Sequence, residues 1–182
     1  MSKKFEQALA LHCSPALCGI KASNLISLSI GDFDIEKEVE DLNKKYGPKV
    51  NFRILRRLDD KYLLLIYRTK ILENKIFEPE TLDFLAREGY PEIKDLNILL
   101  KYLEMRINNN LEFPHEIGIF LGYDLSDTYH FIRKDKKCLH TGYWKVYSNV
   151  TMKQEIFNKY TRCRNCVMKL INRGYSIENF MR

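Results

Sequence analysis

His12-Cys13 and His115-Glu116 are the residue pairs in this chain whose types suit nucleophilic or redox chemistry. The thiolate is the reactive form of cysteine, and a nearby cation or a helix N-terminus lowers its pKa toward neutrality. Cys13 comes just before Pro15, a helix breaker, so the sequence places it at an exposed turn. His12 and Lys21 are close to it along the chain. His115 would be the base and Glu116 the carboxylate that orients it, provided the fold brings the two pairs together. The competing reading is packing. Free cysteine is among the most buried residue types, and His12 would then cap a helix end.

Cys163-Arg164-Asn165-Cys166 has the CxxC form of redox and metal sites. Redox CxxC pairs work at a helix N-terminus, where the dipole stabilises the thiolate. This pair instead lies inside a long helical pattern, with Cys163 continuing the face made by Ile156, Tyr160, Val167 and Ile171, so helix packing is the favoured reading. A metal site would have to recruit Cys138, His140, Cys13 or Cys18, and their spacings are irregular for zinc. No metal ligands are therefore assigned.

Gly142-Tyr143-Trp144-Lys145-Val146-Tyr147 reads as a strand with Tyr143, Lys145 and Tyr147 on one face and Trp144 and Val146 on the other. The first face would floor a pocket for a small anionic ligand, a phosphate or a carboxylate. Lys145 would be its central cation, joined by Arg56 and Arg68 from a hairpin. Solvated basic residues on an open sheet face are the alternative.

Residues 114–134 carry helix-turn-helix spacing. Ile117, Phe120 and Leu121 would face inward, Gly122 would open the turn, and Ser126 would cap the second helix. Tyr129 and Ile132 would close the core, and Arg133, Lys134, Lys136 and Lys137 would meet phosphates. The exposed start of the second helix offers Asp127, Thr128 and His130, a poor set for reading base edges. Any two short packed helices show the same apolar spacing. Binding to DNA or a protein through this pair is thus the runner-up to a thiol-dependent or anion-binding role, with metal binding behind both. Pro114 suits a first helical position and Glu116 the positive end of the dipole, whereas His115 has no such structural role.

The elements that must position these groups follow from periodicity. Helices are expected over 4–12, ending near Ser14-Pro15, and over 34–46, capped by Asp32 or Asp34 and stopped by Gly47-Pro48. A strand is expected over 24–30, and 50–58 with 62–68 form a hairpin. Further helices are expected over 69–77, 79–88, 94–107 (stopped by Asn108-Asn109-Asn110), 114–123, 126–134 and 152–173. The predicted class is α+β: a small, mostly antiparallel sheet of the hairpin, 24–30 and 142–148, packed by helices and closed by a long C-terminal helix.

At 182 residues the chain is expected to form a single domain, 1–182, that needs neither disulfide nor metal to hold a core. Its formal net charge of +6 permits nucleic acid or another anionic partner without demanding one, and nucleic acid is not favoured. No apolar run approaches the ~18 residues of a membrane span. Glu6 stands where the apolar stretch of a signal peptide would begin. The five cysteines are accordingly expected as reduced thiols in a cytoplasmic protein. No pattern names a cofactor, a substrate or an oligomeric state.

His12-Cys13-Ser14-Pro15-Ala16-Leu17 with Gly19-Ile20-Lys21, then Pro114-His115-Glu116, Leu121-Gly122-Tyr123 and Gly142-Tyr143-Trp144-Lys145-Val146-Tyr147, follow one another in an order that resembles the bacterial "domain of unknown function 3793" family of anaerobic Firmicutes. The resemblance spans nearly the whole chain. It implies a bacterial cytosolic protein and carries no activity. It also implies a cysteine before Gly142, where this chain has Thr141, which weakens any mechanism that needs a thiol there.

Overall fold

The computed structural model describes every residue except Ile30, Asp32, Phe33, Pro48, Asn110, Leu111 and Arg182. Asp32 as an alternative cap, Pro48 as a stop and Asn110 as a terminator therefore lie outside the described residues. The class is α+β. The chain divides into two compact units, residues 1–71 with 160–182 and residues 72–159.

The first unit begins with α1, Lys3–Leu17, whose N-cap Ser2 accepts from the Phe5 N–H at 3.2 Å. Phe5, Leu9, Cys13 and Leu17, four residues apart, form its fully buried stripe. The helix runs past the expected stop at Ser14-Pro15. Pro15 sits in the last turn, and the helix ends two residues beyond it. Closure comes from Gly19, at φ +74: Gly19 N–H donates to Ala16 O and Ile20 N–H to Pro15 O, a Schellman ending.

Strands β1 (Ser23–Ser29), β2 (Asn51–Arg57) and β3 (Lys61–Tyr67) form an antiparallel sheet in the order β1-β3-β2. The central β3 is buried on both faces, so Leu64, Leu65, Ile66 and Tyr67 are all inside. A bulge between Ile54 and Arg56 in β2 seats Leu55 in the interior. Helix α2, Ile35–Tyr46, is capped by Asp34, which accepts from Lys37 N–H at 3.1 Å. Asn43 ties α2 to β2 by donating to Phe52 O and accepting from Phe52 N–H, at 2.7 and 2.8 Å. The C-terminal segment completes this core with Val167, Ile177 and Met181. A 3₁₀ turn, Ile177–Phe180, is fixed by Ile177 N–H donating to Glu6 at 2.9 Å.

Helices α3 (Thr69–Ile76) and α8 (Val150–Asn172) carry the two boundaries between the units. Within the second unit are α4 (Pro79–Arg87), α5 (Leu96–Asn109), α6 (Ile117–Phe120) and α7 (Leu125–Arg133). The amphipathic reading of α5 is borne out, since Leu96, Leu99, Leu100, Leu103 and Ile107 are all buried. Gly174, at φ +90, follows the end of α8.

The structure corrects the expected strand over 142–148. Only Lys145–Val146 (β5) is extended and paired. Its partner is His140–Thr141 (β4), in a separate two-stranded ribbon. Gly142-Tyr143 form the intervening turn, and the Tyr147 N–H goes to a side chain instead of a ladder. Burial still alternates as expected, with Trp144 and Val146 inside and Lys145 exposed.

Residues 114–123 are corrected as well. Pro114 lies before the helix, because the Pro114 and His115 carbonyls accept from Ile117 and Gly118 in a turn, and α6 is one turn long. Gly122, at φ +71, ends that segment. The cap of α7 is Asp124, whose carboxylate accepts from Asp127 N–H at 3.3 Å, and Ser126 is an exposed residue of the first turn. Tyr129 is exposed, and Asp127 and Thr128 take the buried positions.

Candidate functional site

In the first unit, Cys13 lies in the middle of the α1 stripe with no exposed surface. Burial pushes its thiol well above the ordinary range, and the Lys21 ammonium offsets this only in part. Lys21 is itself buried and donates to Ser23 O, and His12 is exposed. The environment of Cys13 therefore favours the thiol over the thiolate.

Five residues further on, Cys18 has a different setting. It is the half-buried C-cap of α1, and the group that perturbs its thiol most, through a hydrogen bond, is Cys163 of α8. That contact, followed by the nearby Arg68 guanidinium, holds Cys18 below the ordinary thiol range. The same contact pushes Cys163 up, because its proton is shared with the Cys18 sulfur. Arg68 follows β3 and reaches the end of α1, donating to Ala16 O at 3.1 Å and also to Leu17 O. A third bond, to Phe180 O at 3.1 Å, fixes it further. Its donors thus serve main-chain carbonyls. Arg56 lies on β2, half-buried.

The second unit holds His115, Glu116, Tyr143 and Lys145. Glu116 is 3% exposed and is held by Arg106, whose Nε lies 2.7 Å from its carboxylate, and by the Tyr90 hydroxyl, which donates at 3.2 Å. Burial, then the Glu116 charge, push the Tyr90 hydroxyl far up. The partner of Glu116 is therefore Arg106. His115 turns instead to Phe131, edge-on, with ring centroids 5.1 Å apart. Lys145 Nζ lies 5.4 Å from the centroid of that same ring. Two of the sequence-predicted residues, His115 and Lys145, thus meet at Phe131 and leave their polar ends exposed. Tyr143 packs on Phe157 with centroids 5.6 Å apart.

Sequence reasoning missed the most enclosed polar group of this unit. Asp127 and Lys153 are each 1% exposed and in contact at 2.6 Å. Asp127 also accepts from Trp144 Nε1–H and from Tyr147 N–H, both at 2.8 Å, and Lys153 further contacts Asp124 at 3.4 Å. This network anchors the β4-β5 ribbon and α7 to α8. The available signal was Lys153 itself, on the helical stripe that continues through Phe157 and Tyr160. A lysine on an apolar stripe needs a buried partner.

A cleft of about 670 Å³ also belongs to this unit. Glu78, Glu80, Asp83 and Asp124 outnumber Lys75 and Arg87 around it, which disfavours anions there. His130 lines it and is oriented by Asp135 at 2.8 Å. Among the described residues, no group of three or more His, Cys, Asp or Glu is placed to hold a metal ion. No helix among them is long and apolar enough to cross a membrane.

No curated protein and no solved structure matches the chain. Residues 9–181 match the family described as "Protein of unknown function (DUF3793)", and the chain belongs to that family.

Proposed function

We propose that the protein binds a small anionic ligand, a phosphate or carboxylate, at the His115–Phe131–Lys145 cluster of the second unit. The observation that supports this is the convergence of two nitrogen donors from distant stretches of sequence on one aromatic ring, both with their polar ends exposed. Lys145 supplies a compact charge with three N–H donors, and the imidazole adds a directional donor. The ribbon that carries Lys145 is held by the buried Trp144–Asp127 bond, so the ammonium is presented from a fixed base. A helix-turn-helix role has less support. α6 is a single turn, and the exposed side of α7 presents Ser126 and Tyr129, with its one base-reading side chain, Arg133, at the C-terminal end of the helix.

The test is titration of the protein with inorganic phosphate at low ionic strength, followed by amide chemical shifts. Binding should perturb residues around His115, Phe131 and Lys145. Each of His115→Ala and Lys145→Ala should weaken it roughly fivefold to tenfold, the worth of about 1 kcal/mol for a charge-assisted contact at an exposed site. Shifts confined to other residues, or binding that both variants leave intact, would remove the reading.

A further inference from the structure

The His115–Phe131–Lys145 cluster sits in a wider basic surface of the second unit. Residues 129–147 carry five Lys and Arg side chains against one acidic residue, Asp135. That carboxylate is engaged by His130 Nδ1 at 2.8 Å. Lys134, Lys136, Lys137 and Lys145 are all exposed, and none has an ion-pair partner among the described residues.

The backbone at Lys134 points the same way. Lys134 closes α7, its N–H donating to His130 O at 3.0 Å, with φ at +54. That left-handed conformation suits glycine and strains a lysine. Strain of this kind gathers where a side chain has a use. Lys134 follows Phe131, the ring shared by His115 and Lys145, by three residues, or one helical turn. The chain then passes through Lys136 and Lys137 into the β4-β5 ribbon, where Leu139 N–H donates to Val146 O at 2.8 Å. In the ribbon Thr141 stands opposite Lys145, on the face away from the buried Trp144 and Val146. Chain connectivity keeps Lys137 within about 14 Å of Thr141. The four lysines therefore follow one path, from the end of α7 to the outer face of the ribbon. Beside that path, Phe113 is 42% exposed and lies two residues before His115.

A free phosphate would occupy one seat and leave the other lysines unused. A single-stranded phosphodiester chain uses all of them, because its phosphates repeat and its unpaired bases stack on aromatic faces. A duplex keeps its base faces stacked inside and offers Phe113 nothing. We infer that the His115–Lys145 seat is one station on a track for single-stranded nucleic acid, with Lys134, Lys136 and Lys137 taking neighbouring phosphates and Phe113 stacking a base. This rests on the anion-binding reading of that seat.

The experiment is fluorescence anisotropy of a labelled oligothymidylate with the full chain over a range of salt, run beside the phosphate titration. The seat and the three further lysines make four phosphate contacts, for which log affinity should fall against log salt with a slope of about −3. Replacing Lys134, Lys136 and Lys137 together by alanine should bring the slope to about −1 and keep the phosphate shifts at His115 and Lys145. Phe113→Ala should weaken the oligonucleotide roughly fivefold or more with the slope unchanged. Lys134→Gly should raise the urea midpoint and yet weaken the oligonucleotide, a combination that a purely structural lysine would not give. No oligonucleotide binding at low salt, with phosphate still shifting His115 and Lys145, would overturn the track and leave the phosphate seat standing. A slope that the triple variant does not change, duplex bound as tightly as single strand, or attachment to phosphatidylserine vesicles in place of the oligonucleotide would each overturn it as well. Absence of the phosphate response at His115 and Lys145 would remove both readings.

Discussion

The Asp127–Lys153 network of the second unit and the Cys18–Cys163–Arg68 group of the first both join ionisable side chains that are far apart in sequence. They differ in closure. Asp127 and Lys153 are each 1% exposed, and the carboxylate receives Lys153, the Trp144 indole and the Tyr147 amide. Neither solvent nor a reagent has a place in that arrangement, so it serves architecture. The two thiols are half-buried and have a neighbouring cation but no fixed ionic partner. A reagent can reach them, and their proton has more than one place to go. Burial with every partner supplied makes a polar group structural, and partial burial with a charge nearby makes it chemical.

The comparison breaks most readily at Lys153. Lys153→Met keeps much of the side-chain volume but leaves Asp127 buried without its cation. Removing one partner of a buried pair costs about 3–5 kcal/mol. Urea unfolding should show a loss of that size, with the fluorescence of Trp144 reporting the second unit. A loss under about 1 kcal/mol would mean that the network is open to water.

A smaller effect separates the two cysteines of α1. Cys13 is fully buried in the core and Cys18 is half-buried at its edge. Cys13→Ser places a hydroxyl in apolar surroundings and should cost about 1–3 kcal/mol. Cys18→Ser should cost less than about 1 kcal/mol, because the hydroxyl can reach both solvent and Cys163. Native-state alkylation should follow the reverse order, with Cys18 labelled readily and Cys13 only on unfolding. Equal labelling would show that burial does not distinguish them.

That reversal also shows what the sequence could and could not reveal. The hairpin, the α2 cap at Asp34 and the stripe of α5 depend on neighbours within a few residues, and all are legible in the pattern. Pro15 misled because the helix continues two residues past it and closes only at Gly19. The turn expected to expose Cys13 is instead the continuation of α1. The Tyr143–Tyr147 alternation indicated which side chains are buried but not that the ribbon stands apart from the sheet, since strand pairing is decided by tertiary partners. The sequence groups His115 and Lys145 with Cys13 in one candidate pocket; His115 and Lys145 each pack on Phe131, a residue that reading did not use, and Glu116 pairs with Arg106, which no local pattern signals. Residues 18 and 163 are joined only by the fold, and no local periodicity encodes that contact.

The smallest expected effect concerns pH, and here the two cysteines of α1 carry opposite signs. Burial raises Cys13 above the ordinary value of 9.0, so above pH 9.0 the unfolded chain ionises while the folded one does not. The folded state then binds more protons, and stability falls as pH rises. Cys163 contributes in the same direction, through its hydrogen bond to Cys18. The contact with Cys163 and the Arg68 charge lower Cys18 beneath the same 9.0, so between its folded value and 9.0 the unfolded chain binds more protons and stability rises with pH. Tyr90, buried, and Tyr123, half-buried, start from 10.0 and add to the loss only later. Urea midpoints measured from neutral pH to about pH 10 should therefore show a shallow gain followed by a decline. Cys18→Ser should abolish the gain, and Cys13→Ala should soften the first part of the decline. A gain that survives Cys18→Ser would place the titrating thiolate elsewhere.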